Sequence, residues 1–296
     1  MERIYLCLDV GGTESKAAPV GTDGCLLRPL RHFPAKAKEA KEALLENFSA
    51  IFSALRMEGR ETAGLRLAFP GPFDYAQGIC LLRGLDKYDA LYGINLREAF
   101  ASLTHTAPQD ILFTNDASAF ALGEMRFGPA QGARRALFVC IGTGCGSAFG
   151  ADGALAPEDT PGVPPSGYLY PVPFLNGRID DYISRRGLLS LAQTQMGTAA
   201  HGLDVREISL RAQDGDAGAI QCFSAFGENL CAALLPFLGS FQPETVCLGG
   251  QITQSAALFA APLKAACHAR GIRLYTAQDT SVSTLRGLSA LAPQGV

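Results

Sequence analysis

Two stretches of the chain carry the same pattern of apolar and small residues. Residues 5–13 read Tyr-Leu-Cys-Leu-Asp-Val-Gly-Gly-Thr, and residues 138–146 read Phe-Val-Cys-Ile-Gly-Thr-Gly-Cys-Gly. In each, an apolar run ends in a glycine cluster and a strand of small residues follows. A second turn comes next in both copies, Gly21-Thr22-Asp23-Gly24 and Gly150-Ala151-Asp152-Gly153. Asp-Gly between strands is a strong hairpin signal. Each half of the chain is therefore expected to open with consecutive antiparallel strands.

Helical and strand patterns alternate after each hairpin set. In the first half they predict a helix over 36–57, a strand over 64–69, a helix over 95–103, a strand over 111–115 and a helix over 116–127. In the second half, helices over 179–197, 204–213 and 216–239 precede a strand over 244–248. A helix whose first turn holds Pro262 stops before Gly271, the usual asymmetry of helix ends. A strand over 272–276 and a helix over 282–292 close the chain. Strands alternating with helices imply mostly parallel sheets covered by helices. Two such sheets, each begun by a glycine-tipped hairpin, describe a duplicated actin-like (ribonuclease H-like) α/β fold with two lobes around a nucleotide cleft. The lobes are placed at 1–116 and 117–279, with the last segment, 280–296, able to return to the first. The Pro- and Gly-rich stretch 156–177 has no period and is expected to be a functional loop at the mouth of the cleft.

Composition narrows the function classes. The chain has 296 residues, 48% hydrophobic and 18% charged, with a formal net charge of -3. That balance gives no electrostatic reason to expect nucleic acid or an anionic membrane as partner, so a phosphate ligand must be held locally. The N-terminus enters an apolar strand without a signal-peptide layout. Charge-free stretches such as 245–263 are broken by Gly, Gln, Thr and Ser and read as core. The nine cysteines include no Cys-x-x-Cys and read as reduced core residues. A cytoplasmic location is expected.

The glycine turns carry the first chemical signal. At Asp9-Val10-Gly11-Gly12-Thr13 the glycines let backbone amides approach phosphate oxygens, and the Thr13 hydroxyl adds a donor. Asp9 leaves the strand end toward the same place, suited to hold magnesium through water. Lys16 on the return strand is placed to meet a terminal phosphate. Gly142-Thr143-Gly144 repeats the turn in the second half. A single Gly-Gly turn means little; two in an internal duplication read as a pair that holds one phosphate tail. A third element, Gly249-Gly250-Gln251, ends a buried strand where a helical segment begins, leaving backbone bare for a base or ribose.

These residues resemble the ROK family, named for repressors, open reading frames and kinases. The resemblance runs over nearly the whole chain. It takes in Asp9 to Thr13, Phe69-Pro70-Gly71-Pro72 with Gly78-Ile79, Thr114-Asn115-Asp116-Ala117-Ser118-Ala119 with Ala121-Leu122-Gly123-Glu124, Gly142 to Gly146, and Leu248-Gly249-Gly250. It implies an ATP-dependent kinase of a sugar or sugar derivative using ATP and Mg2+, with Asp116 as catalytic base. Asn115 would bond a sugar hydroxyl, and Pro70 and Gly71 would line the sugar site. In phosphoryl transfer most of the work is positioning and charge neutralisation, with a carboxylate receiving the proton of the attacking hydroxyl. Asp116 follows an apolar strand at the carboxyl end of a sheet, where such folds bind ligands. Helix N-capping is the plainer role for an Asp there.

The departures from the family concern the sugar. Its usual Gly-Glu-Xaa-Gly-His is replaced by Gly167-Tyr168-Leu169-Tyr170-Pro171, and Tyr168 is the substrate-side candidate there. Its zinc-binding cysteine cluster is reduced to Asn176-Gly177-Arg178-Ile179-Asp180, where Asp180 is the shorter counterpart of a sugar-contacting Glu. No zinc site is expected. The family's Asn-Leu sugar contact is missing, and Arg83-Gly84-Leu85-Asp86-Lys87-Tyr88 stands there. The expected substrate is a hexose, N-acyl hexosamine or glycoside. The competing class is a sugar-binding regulator or pseudokinase without a DNA-binding domain, since no helix-turn-helix precedes Tyr5. A filament-forming actin relative is disfavoured by the strings at 69–72 and 114–124. The oligomeric state is left open, a homodimer included.

Overall fold

The repeat in the sequence becomes a repeat in sheet topology. The computed structural model describes residues 3–292. Strands β1 (Arg3–Val10), β2 (Glu14–Gly21) and β3 (Arg31–Pro34) lead through helix α1 (Lys41–Leu55) to β4 (Glu61–Ala68). A short hairpin, β5 (Phe73–Asp74) with β6 (Ile79–Cys80), and helix α2 (Leu96–Thr104) then lead to β7 (Ile111–Thr114) and α3 (Asp116–Phe127). The sheet order is β3-β2-β1-β4-β7, with β2 antiparallel to β1 and β3, and β1, β4 and β7 parallel.

The second set follows the same plan. Strands β8 (Arg135–Ile141), β9 (Cys145–Ala151) and β10 (Ala154–Leu155) precede the hairpin β11 (Pro173–Phe174) and β12 (Gly177–Arg178). Helices α4 (Ile179–Tyr182), α5 (Arg185–Met196), α6 (Val205–Gln213) and α7 (Ala217–Ser240) lead to β13 (Thr245–Gly249). Helices α8 (Ala256–Phe259) and α9 (Ala261–His268) precede β14 (Arg273–Thr276), and α10 (Thr280–Ser289) ends the elements. The order β10-β9-β8-β13-β14 repeats the first sheet strand for strand, again with β8, β13 and β14 parallel. Such matched sheets are what an actin-like fold is made of.

Two compact units result: one runs to Pro129 and takes back the residues from Ser281, and the other spans Ala130–Thr280. The first unit passes the boundary set at 116, because α3 packs its Ala119 with Cys7, Ala18 and Leu285 on one face of the first sheet. Its other face buries Leu44, Phe48, Ile51, Phe52 and Leu55 of α1 with Phe69, Tyr88 and Phe100. The second core gathers Leu137, Val139, Ile183, Phe223, Phe226 and Leu230. By length and composition α7 could cross a membrane, yet Cys222, Phe223, Phe226, Leu230 and Leu234 on it are buried. It is a core helix.

Two predicted helices differ from what is observed, each for a reason of hydrogen bonding. The helix over 36–57 starts only at Lys41, because backbone upstream is used elsewhere. Ala35 N–H donates to Thr13 O at 3.0 Å and Ala37 O accepts from Tyr88 N–H at 2.6 Å. The helix over 179–197 breaks at Ser184, whose hydroxyl donates to Asp180 O at 2.6 Å and accepts from Gly187 N–H at 3.3 Å. The stretch 156–177 holds a 3-10 turn at Pro165–Gly167 and the β11–β12 hairpin. All nine cysteines are free thiols, and Cys25 is exposed rather than in the core.

Helix α10 crosses α3 with almost no side chain between them. A methyl group on Gly123 would fall 1.9 Å from Ser283 O, and one on Gly287 would fall 1.8 Å from Ala119 O. Ser283 Oγ donates to the buried Glu124 at 2.6 Å, and the Arg286 guanidinium lies 4.8 Å from the Phe127 ring centre. Helix propensity alone would make Gly287→Ala stabilising by about 1 kcal/mol. The contact reverses the sign: we predict a loss of about 3 kcal/mol, the upper range of overpacking costs. Urea unfolding of the variant checks it, and a gain in stability would show that the helices are not in contact.

Candidate active site

Parallel strands deliver their last residues to one edge of a sheet, and the first unit uses this at β1, β4 and β7. Asp9 is next to last on β1 and pairs with Lys16 directly across the hairpin. Pro70 and Gly71 follow β4, whose Ala68 is paired with Thr114 of β7, and Phe69 N–H donates to Thr114 O at 2.9 Å. Asn115 and Asp116 come next. The structure thus brings Asp9, Lys16, Pro70, Gly71, Asn115 and Asp116 to the same sheet edge.

The plainer role considered for Asp116 belongs to its neighbour. Asn115 is the N-cap of α3, its Oδ1 accepting from Ala117 N–H at 2.9 Å. This leaves the Asn115 amide group to donate. Asp116 is exposed, and its Oδ1 accepts from Ala117 N–H at 2.8 Å while Oδ2 stays open. The β1–β2 turn presents Gly12 and Thr13 to solvent. A side chain at Gly11 would meet Glu14 O at 2.3 Å, so the tightness of the turn demands glycine.

Two residues that the sequence did not single out hold this turn and the Lys16 side chain on the strand after it. Tyr88 is fully buried, and its hydroxyl donates to Gly11 O at 2.8 Å. Burial pushes its phenol up, so it stays protonated and a donor. Ser281, at the start of α10, accepts from Lys16 Nζ at 2.6 Å. The signal for Tyr88 was a lone aromatic in a loop of Gly, Asp and Lys; for Ser281 there was none.

The second unit gathers its own group. Gly142 N–H donates to Gly144 O at 2.9 Å, closing the β8–β9 turn, with Thr143 exposed. Gly250 has φ 94, and a side chain there would fall 2.3 Å from Ile141 O. Gly249, Gly250 and Gln251 therefore lie against the turn. Gly250 N–H donates to Thr280 Oγ1 at 2.8 Å. Asp180 is drawn in as well: it accepts from Cys145 N–H at 2.7 Å and from Arg186 at 3.0 Å. Both oxygens of this carboxylate are engaged, Oδ1 by the turn and Oδ2 by Arg186 of α5. The break before α5 also serves it, since Arg185 N–H donates to Gly142 O at 2.8 Å. Tyr168, its ring 5.5 Å from that of Tyr170, lies on a stretch pinned by Leu169 N–H to Ser147 Oγ at 2.8 Å and joined to Asp180, whose N–H donates to Tyr170 O at 3.2 Å. Among the described residues, no three or more His, Cys, Asp or Glu side chains gather as a metal site.

Charge is concentrated at Asp9. Burial, then the negative charge of Asp116, push its carboxyl from 3.8 up to about 7, with Lys16 opposing. A carboxyl raised in the fold relative to the unfolded chain holds its proton longer when folded. The unfolded chain therefore releases protons first between about pH 4 and 7, and stability falls as pH rises through that window. We predict that Asp9→Asn, measured by urea unfolding in chelator at about pH 5 and about pH 7.5, loses less stability on going up than the native chain does. An equal fall in both would show that Asp9 is not strained.

Comparison with known proteins places these groups in context. The family model described as "ROK family" matches residues 5–294. A glucokinase of Thermotoga maritima is 22% identical over 280 residues, covering 87% of this chain and 84% of its own length. An N-acetylmannosamine kinase of Escherichia coli is 26% identical over 254 residues, covering 83% of this chain and 82% of its own. Among solved structures, a ROK family glucokinase from Streptomyces griseus in complex with glucose and AMPPNP superposes with a TM-score of 0.79 at 20% identity, covering 99% of this chain and 100% of that one.

Proposed function

Because the chain belongs to the ROK family, we propose that it is an ATP-dependent kinase that phosphorylates a hydroxyl of a sugar or sugar derivative. The observation that carries this reading is Asp116: an exposed carboxylate with one open oxygen, held beside the capping Asn115 at the sheet edge that also bears Asp9 and the Gly11-Gly12-Thr13 turn. The similarity to glucokinase and N-acetylmannosamine kinase supports it.

In this reading the sugar hydroxyl gives its proton to Asp116 Oδ2 as its oxygen bonds to the terminal phosphorus of ATP. The bond from that phosphorus to the bridging oxygen breaks, and ADP leaves. The Asn115 amide donates to a neighbouring sugar hydroxyl, with Pro70 and Gly71 beside it. The turns Gly11–Thr13 and Gly142–Gly144 offer backbone N–H groups and hydroxyls to phosphates, and Gly249–Gln251 leaves backbone bare for the nucleoside. Asp180 acts here through the second turn that it ties down.

A divalent cation fits Asp9. Hard cations take oxygen ligands, and the Asp9 carboxyl, raised by burial and then by the nearby Asp116 charge, is a group whose ionised form such an ion would stabilise. Asp9 would hold magnesium through water, and the bound ion would neutralise charge on the phosphates. We place the enzyme in the cytoplasm, acting on a small-molecule sugar without a nucleic-acid or membrane partner.

Replacing Asp116 by Asn keeps the shape and removes the base. General bases contribute about 10²–10⁴ in rate, so sugar-dependent ATP consumption by Asp116→Asn is expected below about a tenth of the native rate, with nucleotide binding retained. Higher residual turnover sinks the base assignment, and native protein inert toward every sugar favours the regulator reading.

The substrate follows from what replaces the family's polar sugar contacts. Selectivity for a hydroxylated ligand comes from buried polar groups left unpaired by the wrong one, and Tyr168 and Pro171 stand at those positions. The Tyr168–Tyr170 pair suits an apolar sugar face or an attached acyl or glycosidic group. We expect kcat/KM for N-acetylated hexosamines or β-glucosides to exceed that for glucose. Glucose as the best substrate in the panel refutes this.

A further inference from the structure

The segment Arg83–Tyr88 occupies the place where the family resemblance sets a sugar contact, yet its last two side chains, Lys87 and Tyr88, lie against the first glycine turn. Tyr88 holds Gly11 O from within the core at 2.8 Å. Its own N–H donates to Ala37 O, and its φ is 57, a left-handed conformation rare for an aromatic residue. That backbone is held by the fold, and it fixes where the preceding residue goes. Lys87 is half-buried, and its stem lies along Gly12: a methyl group on Gly12 would stand 3.4 Å from Lys87 Cδ. The ammonium is two bonds further on.

The charges around Lys87 are accounted for. Lys16 Nζ donates to Ser281, and Lys38 pairs with Asp86, the carboxylate next to Lys87 in sequence. Lys87 has no hydrogen bond or ion pair among the described residues. A partnerless ammonium beside the exposed backbone of Gly12 and Thr13 is a site for an anion, and Lys is suited to phosphate as a compact point charge.

We propose that Lys87 binds the terminal phosphate of the nucleotide and so distinguishes triphosphate from diphosphate. The proposal rests on the kinase reading for the identity of the anion. Lys87 makes and breaks no covalent bond in it; the ammonium positions a phosphoryl group and neutralises part of its charge.

The test is calorimetric binding of ADP and of AMPPNP, each with magnesium, to native protein, Lys87→Met and Lys87→Arg. Charge-assisted contacts at a half-exposed site are worth about tenfold in affinity. Lys87→Met is expected to bind AMPPNP about tenfold more weakly while its ADP affinity is unchanged, and Lys87→Arg to recover most of the loss. Equal weakening of both ligands, weakening of neither, or native protein that binds the two alike overturns the role. Failure of the kinase reading looks different: native protein then prefers AMPPNP and the preference vanishes in Lys87→Met, but no sugar elicits ATP consumption. A Lys87→Met chain that does not fold leaves Lys87→Arg to decide, since a role in triphosphate recognition requires that the arginine variant still prefer AMPPNP to ADP.

Discussion

Two like charges held near each other at a sheet edge are the constraint around which the first unit is arranged. Strands β1, β4 and β7 run parallel, so Asp9, next to last on β1, and Asp116, just past β7, lie at the same sheet edge. Burial first, and then repulsion from Asp116, raise the Asp9 carboxyl, and Lys16 across the hairpin offsets only part of it. The surroundings are built of groups that tolerate or offset this charge: a capping amide at Asn115, a hydroxyl at Ser281 that steadies Lys16, and a turn of bare backbone at Gly11 and Gly12. Such stored electrostatic cost is typical of sites made to receive a cation or to move a proton.

The second unit solves a different problem with the same topology. Its turn has no carboxylate corresponding to Asp9, because Gly142 stands where the charge would be. Instead a carboxylate from another element, Asp180, reaches the turn through Cys145 N–H and is itself held by Arg186. Duplication thus supplied the frame twice, while the charges were placed separately in each copy.

What was legible in the sequence was whatever depends on neighbours in the chain. The glycine turns, the Asp-Gly hairpins and the Pro262-to-Gly271 helix were read from local signals and stand where the spacing put them. The repeat implied two sheets of like plan, and the two share one strand order. The start of α1 was misjudged because Ala35 and Ala37 spend their backbone groups on Thr13 and Tyr88. The break at Ser184 was hidden because it serves Gly142, far away in sequence. At the candidate site, Asn115 and Asp116 could be named but not told apart as cap and base until Asn115 Oδ1 was seen on Ala117 N–H. Tyr88 and Ser281 act on residues in other elements, and only Tyr88, an aromatic in a polar loop, carries any local mark.

The close crossing of α3 and α10 sets an order of events during synthesis. The helix that begins with Asp116 is made early, but the groove between its glycine and Ala119 is filled only by Gly287 and its neighbours, from the far end of the chain. Domains generally fold in the order in which they leave the ribosome. Here the first unit to emerge is the last to be finished, because one wall of it is still being translated while the second unit folds. Until then Cys7, Ala18 and Ala119 lie bare, and Lys16 lacks the hydroxyl of Ser281. A nascent chain of this protein therefore has its Asp116 carboxylate in hand well before it has the structure that supports it.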